Sequence, residues 1–547
     1  MRIKQLLVGM TATVIAISSY VEIAVADLKF PMLVYRTGAY APNGIPNADG
    51  FVDYYKMINA RDGGIGGEKI LHPECETGYK TQVGVECYEK NKKDAMVFQP
   101  MSTGITYQLI PKATADGVTV YSTGYGRTSA ANGKVFKWVF NAPVTYWDGA
   151  SIAIKHILKN NNGNIKGKKI ALVYHNSAYG KEPIRTLETL ATKHGYKLML
   201  LPVDHPGQEQ KATWLKIRKA RPDNILMWGW GVMNSVAVKS AASIKFPMDK
   251  FIGIWWSGSE NDVLPAGQGA HGYKSLTFNA PGTNYQVHRD IKKYVHDKGE
   301  ASGDGSHFGT VLYNRGLFQA MVQVEAARVA QKIHGTSKIT SAMYRDGMEA
   351  VDLNAERMAE IGFKDFSPPF KNTCENHGGS GLAAVQQWDA KNKKWNMITE
   401  YMYGDKDVVE KMKVVLANSY SLYLKTQNYH WNVTGPQFES LHILFEKQYI
   451  DLANAVDELA ERIRSLGSKA PGSFSAYNEL KGIADANENA DAKEMVKSLA
   501  EDHIYMANLL KEVIVLAQQH GDEATADLCI KRIEVHEKNA WMLNSSL

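Results

Sequence analysis

The hydrophobic pattern of this 547-residue chain changes completely near residue 408. Before that point, short apolar runs alternate with amphipathic stretches. After it, only long stretches with the 3.6-residue period of helices remain. Alternating strands and helices are typical of βαβ units with parallel sheets, whereas four long amphipathic helices with short connections are typical of a helix bundle. The sequence therefore predicts a two-lobed α/β domain at residues 27–403, a short polar linker at 404–407 and an all-α four-helix bundle at 408–547.

The individual elements follow from the same periodicities. Buried strands are predicted at Leu28–Val34, Ala95–Phe98, Val118–Ser122, Lys168–Tyr174, Lys197–Pro202, Asn224–Gly229 and Phe251–Trp255. Helices are predicted between them at Asp148–Asn160, Gly180–His194, Gln210–Ala220, Asn234–Ile244 and Tyr313–His334. In the last part, helices are predicted at 408–431, 438–466, 473–481, 491–519 and 522–543, with Gly467, Pro471, Gly472 and Gly521 between them.

Residues 1–26 have the composition of a secretory signal peptide. Arg2 and Lys4 give a positive start, Leu6–Ser18 is largely apolar, and Ala24-Val25-Ala26 supplies small residues before a cut at Asp27. The apolar run is short for a membrane span, although an uncleaved anchor is the alternative. The sequence thus predicts an exported, periplasmic or secreted protein. In such a compartment Cys75 and Cys87, which bracket a short segment, are expected to form a disulfide.

Charge is unevenly distributed between the two parts. Residues 408–547 contain 14 Lys and Arg against 20 Asp and Glu, so this part carries about −6 and the remainder +12 of the total of +6. An acidic domain is poorly suited to hold a phosphate backbone, which disfavours DNA binding by the bundle.

Histidines and carboxylates interrupt the apolar faces of the first two bundle helices. His430 ends the first, His442 lies early in the second, and Asp457 and Glu461 share one face later in the second. Imidazole with carboxylate is a ligand set that suits iron. Because His442 and Asp457 are about 22 Å apart along one helix, one metal can contact both only if a second copy packs antiparallel. The alternative is that these are ordinary polar residues on a bundle surface.

The surrounding motif resembles that of Dps-type miniferritins, the ferritin-like proteins of DNA protection during starvation. The resemblance rests on LKTQNYHWNVTG from Leu424, on Leu441-His442, Phe445-Glu446 and Tyr449, on DELAERI from Asp457, and on Trp541-Met542-Leu543. It implies a ferroxidase that oxidises Fe(II), preferably with hydrogen peroxide, and stores ferric iron in a hollow shell of twelve subunits. It also implies a site with His430 and His442 from one subunit, Asp457 and Glu461 from its neighbour, and Glu446 nearby.

Acidic residues also follow Gly521. Asp522, Glu523 and Asp527 are interpreted as lining an iron entry pore, with a negatively charged helix N-terminus as the alternative.

Residues 27–403 resemble a type I periplasmic binding protein of the Leu/Ile/Val-binding kind. The resemblance rests on the signal peptide, the Gly63–Gly67 motif, Tyr179-Gly180 after a strand and the two-lobed pattern. It implies that a small molecule binds between the lobes for delivery to an ABC permease. The candidate ligand-binding residues follow strand ends and are Ser102, Thr103, Gly124, Tyr125, Tyr179, Trp230 and Trp255.

The ligand of this first domain is left open by the sequence. The family position for an acidic residue that holds an amino acid's amine falls near Trp255, where no carboxylate is present although Glu260 is close. An aromatic or quaternary ammonium ligand is the alternative to an amino acid, and packing between the lobes is the alternative role of the tryptophans.

The sequence supports three interpretations of the whole chain. In the first, the bundle is a ferroxidase that protects against oxidative stress, and in the second, the first domain captures a ligand for transport. These two interpretations are compatible on one chain. In the alternative reading the chain is purely a substrate-binding protein of an ABC transporter, and the miniferritin is joined to it by a gene-model or genomic accident. The miniferritin module is expected in the cytoplasm if it is expressed separately.

Overall fold

A computed structural model describes residues 27–374, 376–404, 408–466, 468–519 and 522–547. The predicted signal peptide, residues 405–407 of the predicted linker, Gly467 and Gly521 lie outside the described residues. The chain divides into two compact units, with the boundary between Met402 and Tyr403. Within the described residues, every helix is too short or too polar to span a lipid bilayer.

The first unit has an α/β architecture. Its strands are β1 Leu28–Lys29, β2 Met32–Val34, β3 Ile70–Leu71, β4 Glu74–Glu76, β5 Val97–Phe98, β6 Thr119–Tyr121, β7 Val139–Phe140, β8 Lys169–His175, β9 Lys197–Val203, β10 Asn224–Trp228, β11 Phe251–Gly253, β12 Lys274–Thr277, β13 Asp352–Leu353, β14 Phe370–Lys371, β15 Leu382–Asp389 and β16 Lys394–Met397, and β17 Met402–Tyr403 follows at the boundary. Its helices are α1 Ala41–Arg61, α2 Thr81–Asn91, α3 Thr103–Asp116, α4 Tyr146–Lys159, α5 Ala178–Lys181, α6 Ile184–His194, α7 Lys211–Ala220, α8 Val232–Ser243, α9 Glu260–Val263, α10 Gln286–Tyr294, α11 Val311–His334, α12 Ser341–Glu349 and α13 Ala355–Glu360.

Two lobes arise from separate sheets. In the first lobe, β1 pairs with β3, β2 with β4, and β5, β6 and β7 form a ladder, all parallel. In the second lobe the strand order is β16-β15-β12-β11-β10-β8-β9. The strands from β12 to β9 along this order are parallel, while β15 and β16 run antiparallel to their neighbours. The central strand β10 is buried along its whole length, as expected for a parallel strand covered on both faces.

Close packing of two helices depends on small residues. Helix α1 lies against α11, where a Cβ on Gly50 would stand 2.1 Å from the Tyr313 carbonyl oxygen and one on Gly316 would stand 2.1 Å from that of Asn47. The sequence analysis did not predict α1, in which Pro42 lies in the first turn, where proline is tolerated, and Pro46 lies in the interior, where it is unusual. The predicted single helix Gly180–His194 is wrong, because the chain forms α5 and α6 with Pro183 between them.

The second unit is all α. Its helices are α14 Val408–Asn432, α15 Phe438–Ser465, α16 Phe474–Leu480, α17 Ala492–Gln519 and α18 Glu523–Asn544. The four long helices bury one apolar core of their own, which includes Met412, Phe445, Leu499, Leu510 and Leu543. The predicted fold class, a two-lobed α/β protein followed by a ferritin-like four-helix bundle, is confirmed.

Candidate functional site

The first candidate site is an aromatic pocket in the α/β unit. Its walls are Tyr79, Met101, Ser102, Thr103, Tyr125, Tyr146, Tyr179, Trp230 and Trp256. Ser102 is the N-cap of α3 and its hydroxyl accepts a hydrogen bond from the Ile105 amide at 3.4 Å. The Thr103 hydroxyl accepts one from the Gly126 amide at 3.1 Å. The N-terminus of α3 therefore forms the polar end of the pocket.

The aromatic side chains turn most of their polar atoms away from the pocket. The Trp230 indole N–H donates to the Tyr35 hydroxyl at 3.1 Å, and the Trp256 indole N–H donates to the Gly124 carbonyl at 3.0 Å. The Tyr179 hydroxyl donates to the Gly229 carbonyl at 3.0 Å. These bonds satisfy the buried donors and leave ring faces and edges as the pocket surface.

Five of the seven predicted ligand-binding residues line this pocket: Ser102, Thr103, Tyr125, Tyr179 and Trp230. Trp255 does not line it, because its ring is fully buried, stacks on Tyr146 at 5.9 Å and donates its indole N–H to the Gly124 carbonyl at 2.7 Å. Gly124 contributes to the site through that carbonyl, which also orients Trp256.

Four lining residues were missing from the sequence-based set. Tyr79, Met101, Tyr146 and Trp256 come from different loops and helix starts, and only Trp256 carried a signal, as the neighbour of Trp255 at a strand end. Glu260, the predicted nearby carboxylate, does not line the pocket. Its carboxylate accepts a hydrogen bond from the Val311 amide at 3.1 Å, and burial raises its pKa to about 7.

The second candidate site is a histidine pair in the bundle. The His430 and His442 rings stack with centroids 3.8 Å apart. The Nδ1 of His430 bonds to the His442 carbonyl at 2.8 Å, and the Nδ1 of His442 bonds to the His430 carbonyl at 2.8 Å. Because a carbonyl oxygen only accepts, both Nδ1 atoms carry a proton, so in the neutral rings each Nε2 atom has a free lone pair. A hydrogen bond of this kind orients an imidazole for metal ligation.

The predicted carboxylate partners do not reach this pair within one chain. Asp457 and Glu461 are exposed on α15, which places Asp457 about 22 Å along the helix from His442. Among the described residues, no group of three or more His, Cys, Asp and Glu side chains is arranged to hold a metal ion. This statement includes Glu446, which lies one helical turn after His442.

Apolar side chains around the histidine pair are left exposed. Trp431 is 62% exposed and Phe438 is 46% exposed, although both flank the pair in sequence. The Phe438 ring contacts the His442 ring with centroids 5.1 Å apart. Two large apolar rings are therefore exposed next to the histidine pair.

Two of the three acidic residues after Gly521, Asp522 and Asp527, have structural partners. The Asp522 carboxylate accepts hydrogen bonds from the Thr525 amide at 3.1 Å and from Arg462, so it caps α18. Asp527 forms an ion pair with Lys531 at 2.8 Å, and Glu523 is exposed. In the first unit, Cys75 and Cys87 form a disulfide.

Two family models match the chain. Residues 27–394 match the periplasmic binding protein family, and residues 409–547 match the ferritin-like domain. The second segment is 37% identical over 143 residues to DNA protection during starvation protein 2 of Bacillus anthracis, covering 26% of this chain and 98% of that protein. It is 34% identical over 140 residues to general stress protein 20U of Bacillus subtilis, covering 26% of this chain and 97% of that protein.

Solved structures resemble the first unit. A protein described as an ABC transporter permease from the Pseudomonas fluorescens group is 39% identical, with a TM-score of 0.65, over 70% of this chain and 93% of that one. A branched-chain amino acid ABC transporter protein from Thermus thermophilus with bound valine is 18% identical, with a TM-score of 0.58, over 69% of this chain and 97% of that one, and shows the shared fold. Ligand binding and iron storage are the general roles of the two domain types. The chain therefore belongs to the periplasmic binding protein family over residues 27–394 and to the ferritin-like family, with Dps proteins as its relatives, over residues 409–547.

Proposed function

We propose that the bundle is a ferroxidase whose iron site is shared by two copies of the chain. The supporting observation is the His430–His442 pair, in which both Nδ1 atoms are bonded to carbonyls and both Nε2 atoms are left as acceptors. Two imidazoles alone bind Fe(II) weakly, and the carboxylates that would complete the set lie at the far end of α15. An antiparallel twofold partner brings its own Asp457 and Glu461 to the histidines, with Glu446 beside them.

The chemistry proposed there is oxidation of Fe(II) as the substrate. Two Fe(II) ions each lose one electron, and hydrogen peroxide takes up both electrons and two protons to give two water molecules. The carboxylates offset the positive charge of the metal, and the Nδ1–H bonds hold the imidazoles in the tautomer that binds it. The ferric product is stored inside the shell that twelve copies would form.

Initial rates of Fe(III) formation with peroxide test this proposal in the full chain. We expect His442→Ala and Asp457→Ala each to lower the rate at least about 10-fold, because loss of a ligand should cost no less than the roughly 10- to 100-fold that loss of a group supporting a ligand costs. Glu458→Ala is the matched control, because Glu458 is an exposed carboxylate next to Asp457 outside the proposed ligand set. Wild-type rates in both ligand variants would refute the site.

We also propose that the first unit captures a small solute for an ABC importer in the periplasm. The aromatic pocket supports this, because a mostly apolar and aromatic surface with a few polar groups at one end is typical of small-molecule sites. Trp230→Ala removes one wall and is expected to abolish solute binding without unfolding the unit. Trp147→Ala, at a 44% exposed position that does not line the pocket, is the control.

A further inference from the structure

Cations collect at one edge of the sheet in the second lobe. Parallel strands begin at the same edge, and β8 and β9 begin with Lys169 and Lys197, which are Cα partners in the ladder. Arg221 leads into β10, and Lys245 and Lys250 lead into β11. The pocket residues of this lobe follow the opposite ends of the same strands. The strand starts therefore form a basic edge that faces away from the pocket.

An exposed leucine lies among these cations. Leu215 on α7 is 56% exposed, and its neighbours one helical turn away on the helix surface are Lys211, Arg218 and Lys219. A groove of about 580 Å³ combines this leucine with cationic and aromatic side chains from α7 and from the segment after α8: Arg218, Lys219, Arg221, Lys245 and Phe246. The groove thus offers apolar contact surrounded by positive charge.

Carboxylates do not balance this charge. In the described parts of the chain, no carboxylate pairs with the four cations that line the groove. Asp223 is close to them in sequence but pairs with Lys168 at 3.7 Å. Lys169 and Lys197 are directly opposite each other in the ladder, and like charges in that arrangement oppose strand pairing. The helix dipole accounts for cations at the end of α7 but not for these two lysines at strand starts. The edge is therefore suited to an anion outside the chain.

An anionic lipid bilayer matches both parts of this surface. Lys and Arg side chains are attracted by the negative potential of such a membrane. An apolar side chain between them is buried at the boundary of headgroups and acyl chains. A nucleic acid would use the cations alone, through its phosphates, and would leave Leu215 in water. The exposed leucine therefore favours a membrane over a nucleic acid.

We propose that the basic edge of the first unit docks on the surface of a bilayer that contains anionic lipid. Leu215 inserts at the headgroup boundary, and the four cations of the groove contact lipid phosphates. Because this edge faces away from the pocket, docking leaves the pocket uncovered. The proposal depends neither on the identity of the solute nor on iron oxidation.

Sedimentation of the full chain with lipid vesicles tests the proposal. Vesicles of two parts phosphatidylcholine to one part phosphatidylglycerol are compared with vesicles of phosphatidylcholine alone. We expect at least about tenfold tighter binding to the anionic vesicles, because each cation near an anionic surface contributes about fivefold. Raising NaCl from about 0.1 M to about 1 M shortens the screening length from about 10 Å to about 3 Å and should release the protein. Equal binding to both kinds of vesicle, or to neither, would overturn the proposal.

Charge-reversal variants assign the binding to this edge. Arg218→Glu/Lys245→Glu is expected to weaken binding to the anionic vesicles at least about 25-fold. Lys90→Glu/Lys298→Glu is the matched control, because it changes the net charge equally at exposed positions outside the edge. The control should weaken binding less than about threefold, since salt screens its charges from the lipid. Equal losses in the two double variants would contradict the proposal.

Leu215→Asn separates a membrane from other polyanions. It keeps every cation, and loss of the apolar contact is expected to weaken vesicle binding about tenfold while leaving adsorption to duplex DNA unchanged. It also keeps the proposal testable if the charge variant does not fold, because Leu215 is an exposed side chain. If duplex DNA displaces the protein from the vesicles and Leu215→Asn binds them as the wild type does, the partner is a nucleic acid and the proposal is wrong.

Discussion

His503 and His536 meet in the interior of the bundle with their Nδ1 atoms 2.8 Å apart. They come from α17 and α18, and both rings are buried. One Nδ1 must donate and the other accept, so at least one of the two rings is neutral. Burial, assisted by the nearby Arg532 charge, lowers the pKa of His503 to about 3, and burial lowers the pKa of His536 well below its ordinary value.

This pair predicts that the bundle loses stability in mild acid. Between a pH near 6.5 and the lowered folded-state pKa values, the unfolded chain binds protons that the folded chain does not, so the free energy of unfolding falls as pH falls. Between pH 7 and pH 5 we expect a loss of about 2 kcal/mol per histidine. Urea unfolding followed by helical circular dichroism at both pH values measures it.

A double variant is the control for the pH effect. His503→Leu with His536→Leu removes both titrating groups and keeps apolar volume in the core, so the difference between pH 7 and pH 5 is expected to shrink by most of that amount. The same pH dependence in the wild type and the double variant would show that other groups cause it.

A second prediction concerns the start of α18. Asp522 caps this helix and pairs with Arg462 on α15. Burial raises the pKa of Asp522, but hydrogen bonds from Thr525 and the charge of Arg462 lower it by a larger amount, so the net shift of this pKa is downward. The stabilisation from the ionised carboxylate is therefore present above the ordinary carboxyl pKa and is lost as pH falls through the lowered value. Asp522→Ala is expected to cost about 1–2 kcal/mol of unfolding free energy.

Asp527→Ala is the comparison for this cap. Its carboxylate pairs with an exposed Lys531, so we expect a change below about 0.5 kcal/mol. If iron uptake instead slows in Asp527→Ala while Asp522→Ala leaves stability unchanged, the pore interpretation replaces the capping one.

The helices were predictable because their apolar periodicity is a local property. The predicted tail helix at 438–466 matches α15 at Phe438–Ser465, and the predicted strand Asn224–Gly229 matches β10 within one residue. Helix α1 was missed because Pro46 in its interior opposes helix formation locally, while packing of Gly50 against α11 stabilises the helix through the tertiary fold.

The pocket was predictable only in part, for a similar reason. Residues that follow strand ends, such as Tyr125 and Tyr179, were identified because parallel strands end at one edge of the sheet. Which of Trp255 and Trp256 faces the pocket depends on a short turn, and the sequence carries no periodic signal there.

A third prediction uses the Cys75–Cys87 disulfide, whose partners are 12 residues apart. Closing a loop of this size restricts the unfolded chain and stabilises by about 3 kcal/mol. Cys75→Ser with Cys87→Ser should therefore lower the Tm of the first unit by several degrees, as followed by its tryptophan fluorescence. Cys529 is buried among apolar side chains, so Cys529→Ala is the matched control and should leave that transition in place.

A fourth prediction tests whether the iron site is shared between copies. Co-expression of a His430→Ala/His442→Ala chain with an Asp457→Ala/Glu461→Ala chain gives mixed dimers with one intact site of two. Under random pairing, half of the dimers are mixed, so the preparation should regain about a quarter of the wild-type rate of Fe(III) formation. Neither chain alone should show more than a few per cent. No recovery in verified mixed dimers would contradict a site shared between two chains.

The last prediction concerns the exposed surface beside the histidines. Trp431 and Phe438 lie beside the histidine pair, so an antiparallel partner that completes the iron site would also cover their apolar rings. Placing a charge there opposes association, because the carboxylate loses water without gaining a partner. Trp431→Glu should therefore shift the particle from about twelve times the 60.7 kDa chain toward monomers in light scattering and remove iron oxidation with it. Trp147→Glu places the same charge at another exposed tryptophan, in the first unit, and should leave both size and rate unchanged. A monomer that still oxidises iron at the wild-type rate would contradict the shared site.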